Sequence, residues 1–141
     1  MGTILINNLP ATSPGRVLFA PVAGGVAPAA LSALASPSDQ PYGWADADFA
    51  DVLVSPDTNV VTIVASGGSG GYTYAWAFES GFALTMYNLN NTAHWGTSGL
   101  TPTDPIIVQY VGVYKCTVTD SSLASVVVHV TATCEIQNYG A

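Results

Sequence analysis

The chain has 141 residues, the size of one domain, and is 49% hydrophobic but only 8% charged, against roughly a quarter charged in ordinary soluble domains. Arg16 and Lys115 are its only basic residues against nine acids, which argues against DNA, RNA and anionic membranes as partners, because that affinity comes from neutralising many phosphates with Lys and Arg. Arg16 is also the only charged residue before Asp39, so a near-neutral stretch precedes an acidic body.

The opening Met1-Gly2-Thr3-Ile4-Leu5-Ile6 lacks the cationic start of a secretory signal and ends its apolar run at Asn7-Asn8, so the chain reads as unexported. Residues 17–36 are uncharged and largely apolar, but Pro21, Gly24, Gly25 and Pro28 would free too many backbone groups in lipid for a membrane helix. Residues 1–45 are rich in Ala, Pro and Gly and show no sustained period, apart from residues 28–35. There Pro28 can open a short helix that places Leu31 and Leu34 on one side. The segment still carries Ile4, Leu5, Ile6, Val17, Leu18, Phe19, Val22, Leu31 and Leu34, too many apolar side chains to stay solvated without charge. It is expected to be an extended arm, 1–45, whose apolar residues bind a partner or lattice.

From residue 46 the pattern changes to short β-rich runs separated by turn residues. Strands are expected at residues 49–54, at 59–66 with Val61, Ile63 and Ala65 on one face, and at 72–79 with Tyr72, Tyr74, Trp76 and Phe78 on one face. Another is expected at 82–87. Residues 88–105, which hold His94 and Trp95, read as turn-rich and irregular. Residues 106–110, 113–119 and 125–133 are expected to be the last strands, with Thr119-Asp120-Ser121-Ser122 turning the final hairpin. The fold class is all-β, a sandwich of about seven strands over residues 46–141.

Two motifs resemble a known family. Ser66-Gly67-Gly68-Ser69-Gly70-Gly71-Tyr72-Thr73-Tyr74-Ala75-Trp76 looks like the Gly-rich turn and following strand of bacterial PKD-type immunoglobulin-like repeats. Gly112-Val113-Tyr114-Lys115-Cys116-Thr117-Val118-Thr119-Asp120 is similar to the Gly-x-Tyr-x-Cys strand of immunoglobulin-like domains. The matches span about residues 57–134. The resemblance implies that Trp76 fills the space between two sheets, with Tyr114 and Cys116 also in the core and the Tyr114 hydroxyl bonding backbone at a corner. Ala65 stands where antibody domains carry the first cysteine, so no inter-sheet bridge of that kind can form. Cys134 lies too far along the last strand to oppose Cys116, and two reduced, buried thiols are expected.

No residues announce catalysis. Gly67-Gly68-Ser69-Gly70-Gly71 fits the pattern G-x-S-x-G, but a nucleophile elbow needs a helix after it and a strand follows here. His94 and His129 are the only candidate bases, and neither pairs with a nucleophile and an orienting acid at readable spacing. Asp46, Asp48 and Asp51 form an acidic cluster without a Gly-bearing calcium loop. No cofactor, metal or enzymatic activity is expected.

Immunoglobulin-like modules of this kind occur in bacteriophage capsid, tail and fibre proteins. The resemblance, the apolar arm and the few charges together give the expectation of a non-enzymatic structural protein of a phage virion. It would be a capsid decoration or accessory protein on the capsid surface, anchored by its arm to other virion proteins in a homo-oligomeric or lattice context. Aromatic residues near projecting loops, Tyr72, Tyr87 and Trp95, would supply contacts to a host glycan or protein. The alternative is a bacterial cell-surface or secreted PKD-like module for adhesion or carbohydrate binding.

Overall fold

A computed structural model describes residues 29–47, 54–97 and 106–138. They form eight strands: β1 (Ser32–Ser36), β2 (Tyr42–Asp46), β3 (Val61–Ser66), β4 (Thr73–Gly81), β5 (Thr85–Leu89), β6 (Thr92–Gly96), β7 (Ile106–Thr119) and β8 (Ser125–Asn138). The strands make two four-stranded sheets, ordered β1-β3-β6-β5 and β2-β8-β7-β4, packed as a sandwich.

The interior follows from period-two alternation. Val61 and Ile63 of β3 and Ala93 and Trp95 of β6 face Tyr114, Cys116 and Val118 of β7 and Val128, Val130, Ala132 and Cys134 of β8 in one buried cluster. Each fully buried Val or Ile contributes about 1.5–3 kcal/mol relative to exposure. The backbone of the second sheet is the β7–β8 hairpin, paired without a break from Ile106↔Asn138 to Thr119↔Ser125. The two runs expected at 106–110 and 113–119 are therefore one strand, because Gly112 lets the chain pass close to Phe82 and Tyr114 without interrupting the ladder.

Three expectations are corrected. First, the helix expected at residues 28–35 is strand β1. Ser32, Leu34 and Ser36 alternate with Ala33 and Ala35, which pair with Ala65 and Ile63 of β3, so a period of two prevails once an edge is there to receive it. Second, the expected arm of residues 1–45 contains β1 and nearly all of β2, one strand in each sheet; the sandwich starts before residue 46. Ala33, Ala35 and Gly43 are small because they face the packed interior, and a Cβ on Gly43 would run into the Asp57 carbonyl. Third, the stretch expected to be irregular at 88–105 contains β6, formed by a tight hairpin in which Asn90 takes a positive φ of 52°. Asn is the residue best suited to that conformation after Gly.

The third correction moves the centre of the core. Trp95 on β6 is fully buried, whereas Trp76 is only half-buried, packing against the cluster from the edge strand β4. The two indoles meet edge to face at 5.8 Å, and Trp95 lies 5.1 Å from the Tyr114 ring. Trp76 donates its Nε1–H to the Asn90 carbonyl at 2.8 Å; Trp95 Nε1 is buried with no partner among the described residues. Tyr114 and Cys116 are in the core as expected, and the Tyr114 hydroxyl donates to the Leu84 carbonyl, 2.9 Å away in the β4–β5 connection. Cys116 and Cys134 are free, buried thiols, both pushed up to about 11 by burial. The strand expected at 49–54 lies, but for Val54, outside the described residues.

Candidate contact surface

The Gly-rich loop, expected to project, is tied to the rest of the molecule. Gly67, Gly68, Gly70 and Gly71 all have positive φ, and a Cβ at Gly67 would overlap the Ala30 carbonyl. Gly68 N–H donates to the Ala29 carbonyl, Tyr72 hydroxyl to the Gly67 carbonyl, and Ser121 N–H to the Gly70 carbonyl, at 2.7, 2.7 and 2.8 Å. Asp120 organises this end. Its carboxylate accepts from Ser69 N–H, Ser122 N–H, Ser122 hydroxyl and Ala124 N–H at 2.7–3.0 Å, bonds that hold it below the ordinary carboxylate range. Ser69 thus sits in a strand-bound loop, not at an elbow before a helix.

Exposed apolar side chains lie on both outer faces; on that of sheet β1-β3-β6-β5 they adjoin across neighbouring strands. Leu34 pairs with Val64 across β1 and β3, while Tyr87 pairs with His94 and Leu89 with Thr92 across β5 and β6. Leu34, Val60, Val64, Tyr87 and Leu89 are all substantially exposed, Leu89 at 74%. Val60, Tyr87, Leu89, Thr92 and His94 surround a shallow depression of about 200 Å³. The Tyr87 and His94 rings stack at 4.9 Å, and Asp57 accepts from or faces His94 Nδ1 at 3.2 Å, fixing the imidazole over the sheet. A solvated sheet face ordinarily alternates to polar residues; apart from the Asp57–His94 pair, this one offers Thr, Ser and apolar groups.

Of the residues expected to bind a partner, Leu34 lies on this face and Leu31 is half-buried beside the Gly-rich loop. Ile4, Leu5, Ile6, Val17, Leu18, Phe19 and Val22 lie outside the described residues, as do Asp48 and Asp51. Tyr87 is exposed as a loop aromatic was expected to be, but from a strand; Tyr72 is a half-buried support and Trp95 is core. His129 points outward from β8 and meets Glu79 Oε1 at 2.9 Å. The face was hidden in the sequence because Val60, Val64 and Leu34 look like core residues until the sheet order is known. The one available signal was Asn90-Asn91 between two alternating runs, which marks the β5–β6 hairpin.

The chain matches no family model and no curated protein.

Proposed function

We propose that this protein is a non-enzymatic structural protein of a bacteriophage virion, a capsid decoration or accessory protein displaying an immunoglobulin-like, PKD-like sandwich. The observation that carries the reading is the outer face bearing Leu34, Val60, Val64, Tyr87 and Leu89. On a chain of net charge −7, a largely apolar face whose acid, Asp57, is paired with His94 suits lasting contact with protein neighbours and suits isolation in water poorly. The strand order supports the immunoglobulin-like part. Sheet β1-β3-β6-β5 against β4, β7 and β8 corresponds to the ABED and CFG sheets of that architecture, with β2 added beside the last strand. The Tyr114 hydroxyl departs from it by reaching back 30 residues to Leu84.

Both sheets are built from residues 32–138, so the anchoring role falls to residues 1–28 with Ile4, Leu5, Ile6, Val17, Leu18, Phe19 and Val22. Co-sedimentation with phage particles tests this. Full-length protein should stay bound in about 1 M salt, where exposed ion pairs are screened within about 3 Å, and a folded chain lacking residues 1–28 should not bind. Release by moderate salt, or no binding by the full-length protein, refutes the reading; undiminished binding of the shortened chain refutes anchoring by residues 1–28 and leaves attachment to the outer face. A second reading, a cell-surface or secreted adhesion module that binds carbohydrate, is favoured by the exposed Trp44 and Tyr42 on the opposite sheet.

A further inference from the structure

The opposite outer face, on sheet β2-β8-β7-β4, also exposes apolar groups, Ile107 and Val111 on either side of Gln109 among them, but between them it carries a hydrogen-bonded polar row. The registers set Trp44, Glu135 and Gln109 in one row across β2, β8 and β7, and all three side chains project outward because Gly43, Cys134 and Tyr110 between them belong to the inner face. Tyr42 lies in the row above. Trp44 is 56% exposed and Tyr42 43%, which leaves two large aromatic surfaces in water.

Glu135 sits in the middle of the solvent face yet is only 6% exposed. Its Oε1 accepts from the Tyr42 hydroxyl and from Gln137 Nε2, both at 2.6 Å, and its Oε2 accepts from Gln109 Nε2 at 2.7 Å. These bonds lock the carboxylate, hold its pKa below the ordinary range and fix the planes of two amides. A carboxylate has about four lone-pair positions; three are used, and the one left is on Oε2, beside Gln109, which spends one of its two N–H donors on the bond. The result is a fixed acceptor and a planar amide next to an exposed indole on a flat sheet. No cation answers the carboxylate: among the described residues Lys115 is the one base of Lys or Arg type, six positions from Gln109 along β7, about 20 Å at strand rise.

We infer that the Trp44–Glu135–Gln109 row is a binding platform for a neutral carbohydrate, with a pyranose ring lying on the Trp44 indole and its hydroxyls bonded by Glu135 Oε2 and the Gln109 amide. A sugar ring matches this patch in chemistry. Its C–H face is apolar and suits the indole, and its rim offers hydroxyl donors to a fixed acceptor. Charge selects among glycans: a sialylated or sulfated chain would bring an anion against Glu135, with no Lys or Arg beside it among the described residues. The platform rests on the second reading, carbohydrate binding on this sheet, and not on attachment to a particle; it is separate from the face on the other sheet.

The experiment is NMR titration of full-length protein with maltohexaose, cellohexaose and chitohexaose, with a hyaluronan oligosaccharide of similar length as the anionic probe. At least one neutral hexaose should shift the Trp44 indole and Gln109 side-chain amide signals at up to about 20 mM, weak affinity being ordinary for one ring on a flat site. Trp44→Ala should weaken it at least tenfold, Glu135→Gln likewise, and Lys115→Gln should leave it unchanged. Should Trp44→Ala fail to fold, the map of shifted signals in the native protein decides alone. Silence with all three hexaoses, shifts centred away from β2, β8 and β7, tight binding that survives Trp44→Ala, or preference for hyaluronan overturns the proposal. Since no particle is involved, failure here leaves the virion reading intact, and loss of particle attachment leaves this one intact.

Discussion

Replacing Trp95 by alanine should destabilise the sandwich more than replacing Trp76, although the sequence makes Trp76 the obvious central filler. A buried tryptophan removes about 200 Å² from water, and at about 25 cal/mol per Å² that is about 5 kcal/mol, near the top of the range seen for aromatic-to-alanine changes in cores. Trp95 is fully buried between Trp76 and Tyr114, so nearly all of this is at stake. Trp76 keeps part of its surface in water, so its loss forfeits a smaller share of that burial, about 3–4 kcal/mol, together with one hydrogen bond to Asn90. Trp95→Phe should cost under about 2 kcal/mol, because it also removes an indole N–H buried without a partner, itself a penalty of about 1–3 kcal/mol. Urea unfolding followed by far-UV circular dichroism reads all three as midpoint shifts at constant slope. A midpoint for Trp76→Ala equal to or below that of Trp95→Ala refutes the placement of the core.

The other predictions address separate parts of the molecule. Gly43→Ala should strip β2 from β8, since its Cβ would meet backbone of Asp57 and Thr58 rather than a movable side chain; hydrogen exchange should rise at β2 and the facing end of β8, and unchanged protection there contradicts the argument. Asp120 and Glu135 have depressed pKa values in the fold, Asp120 chiefly through Ser69 N–H and Glu135 chiefly through the Tyr42 hydroxyl. Their contribution is therefore complete above the unfolded carboxylate range of about 4 and is lost as pH falls through the folded values. The urea midpoint should drop on acidification below about pH 4, and less steeply in Asp120→Asn; an equal slope in the variant argues against the loop anchor. Cys116 and Cys134, pushed up to about 11 by burial, should ignore a thiol reagent at about pH 8 in the native state and react in urea. Native reaction at the rate of a free thiol disproves their burial.

What the sequence revealed depended on where each strand lies in its sheet. β3, β4 and β8 are rich in β-branched and aromatic residues between clear turns and could be read directly, as could the hairpin turn at Asp120. β1 and β2 could not: Ser32-Ala33-Leu34-Ala35-Ser36 turns alanine inward and leucine outward, the reverse of the usual polarity, because both strands pack where space admits little more than a methyl group. β6 was obscured by the Asn, Gly and Thr around it, and with it the true central tryptophan. The apolar outer face needed the order β1-β3-β6-β5 to be known. The Glu135 network was less legible still, since its members Tyr42, Gln109 and Gln137 come from three strands, with Tyr42 and Glu135 93 positions apart in the chain, and only the registers bring them together.

β2 runs parallel to β8 over five paired positions, from Tyr42↔Thr133 to Asp46↔Gln137. A pull entering ahead of β2 and leaving past the end of β8 draws the two strands in opposite directions along their shared axis. The ladder is then loaded in shear, and its rungs must give way together instead of unzipping one at a time. A body tethered through its leading segment and tugged at its tail would meet mechanical force with its most resistant geometry.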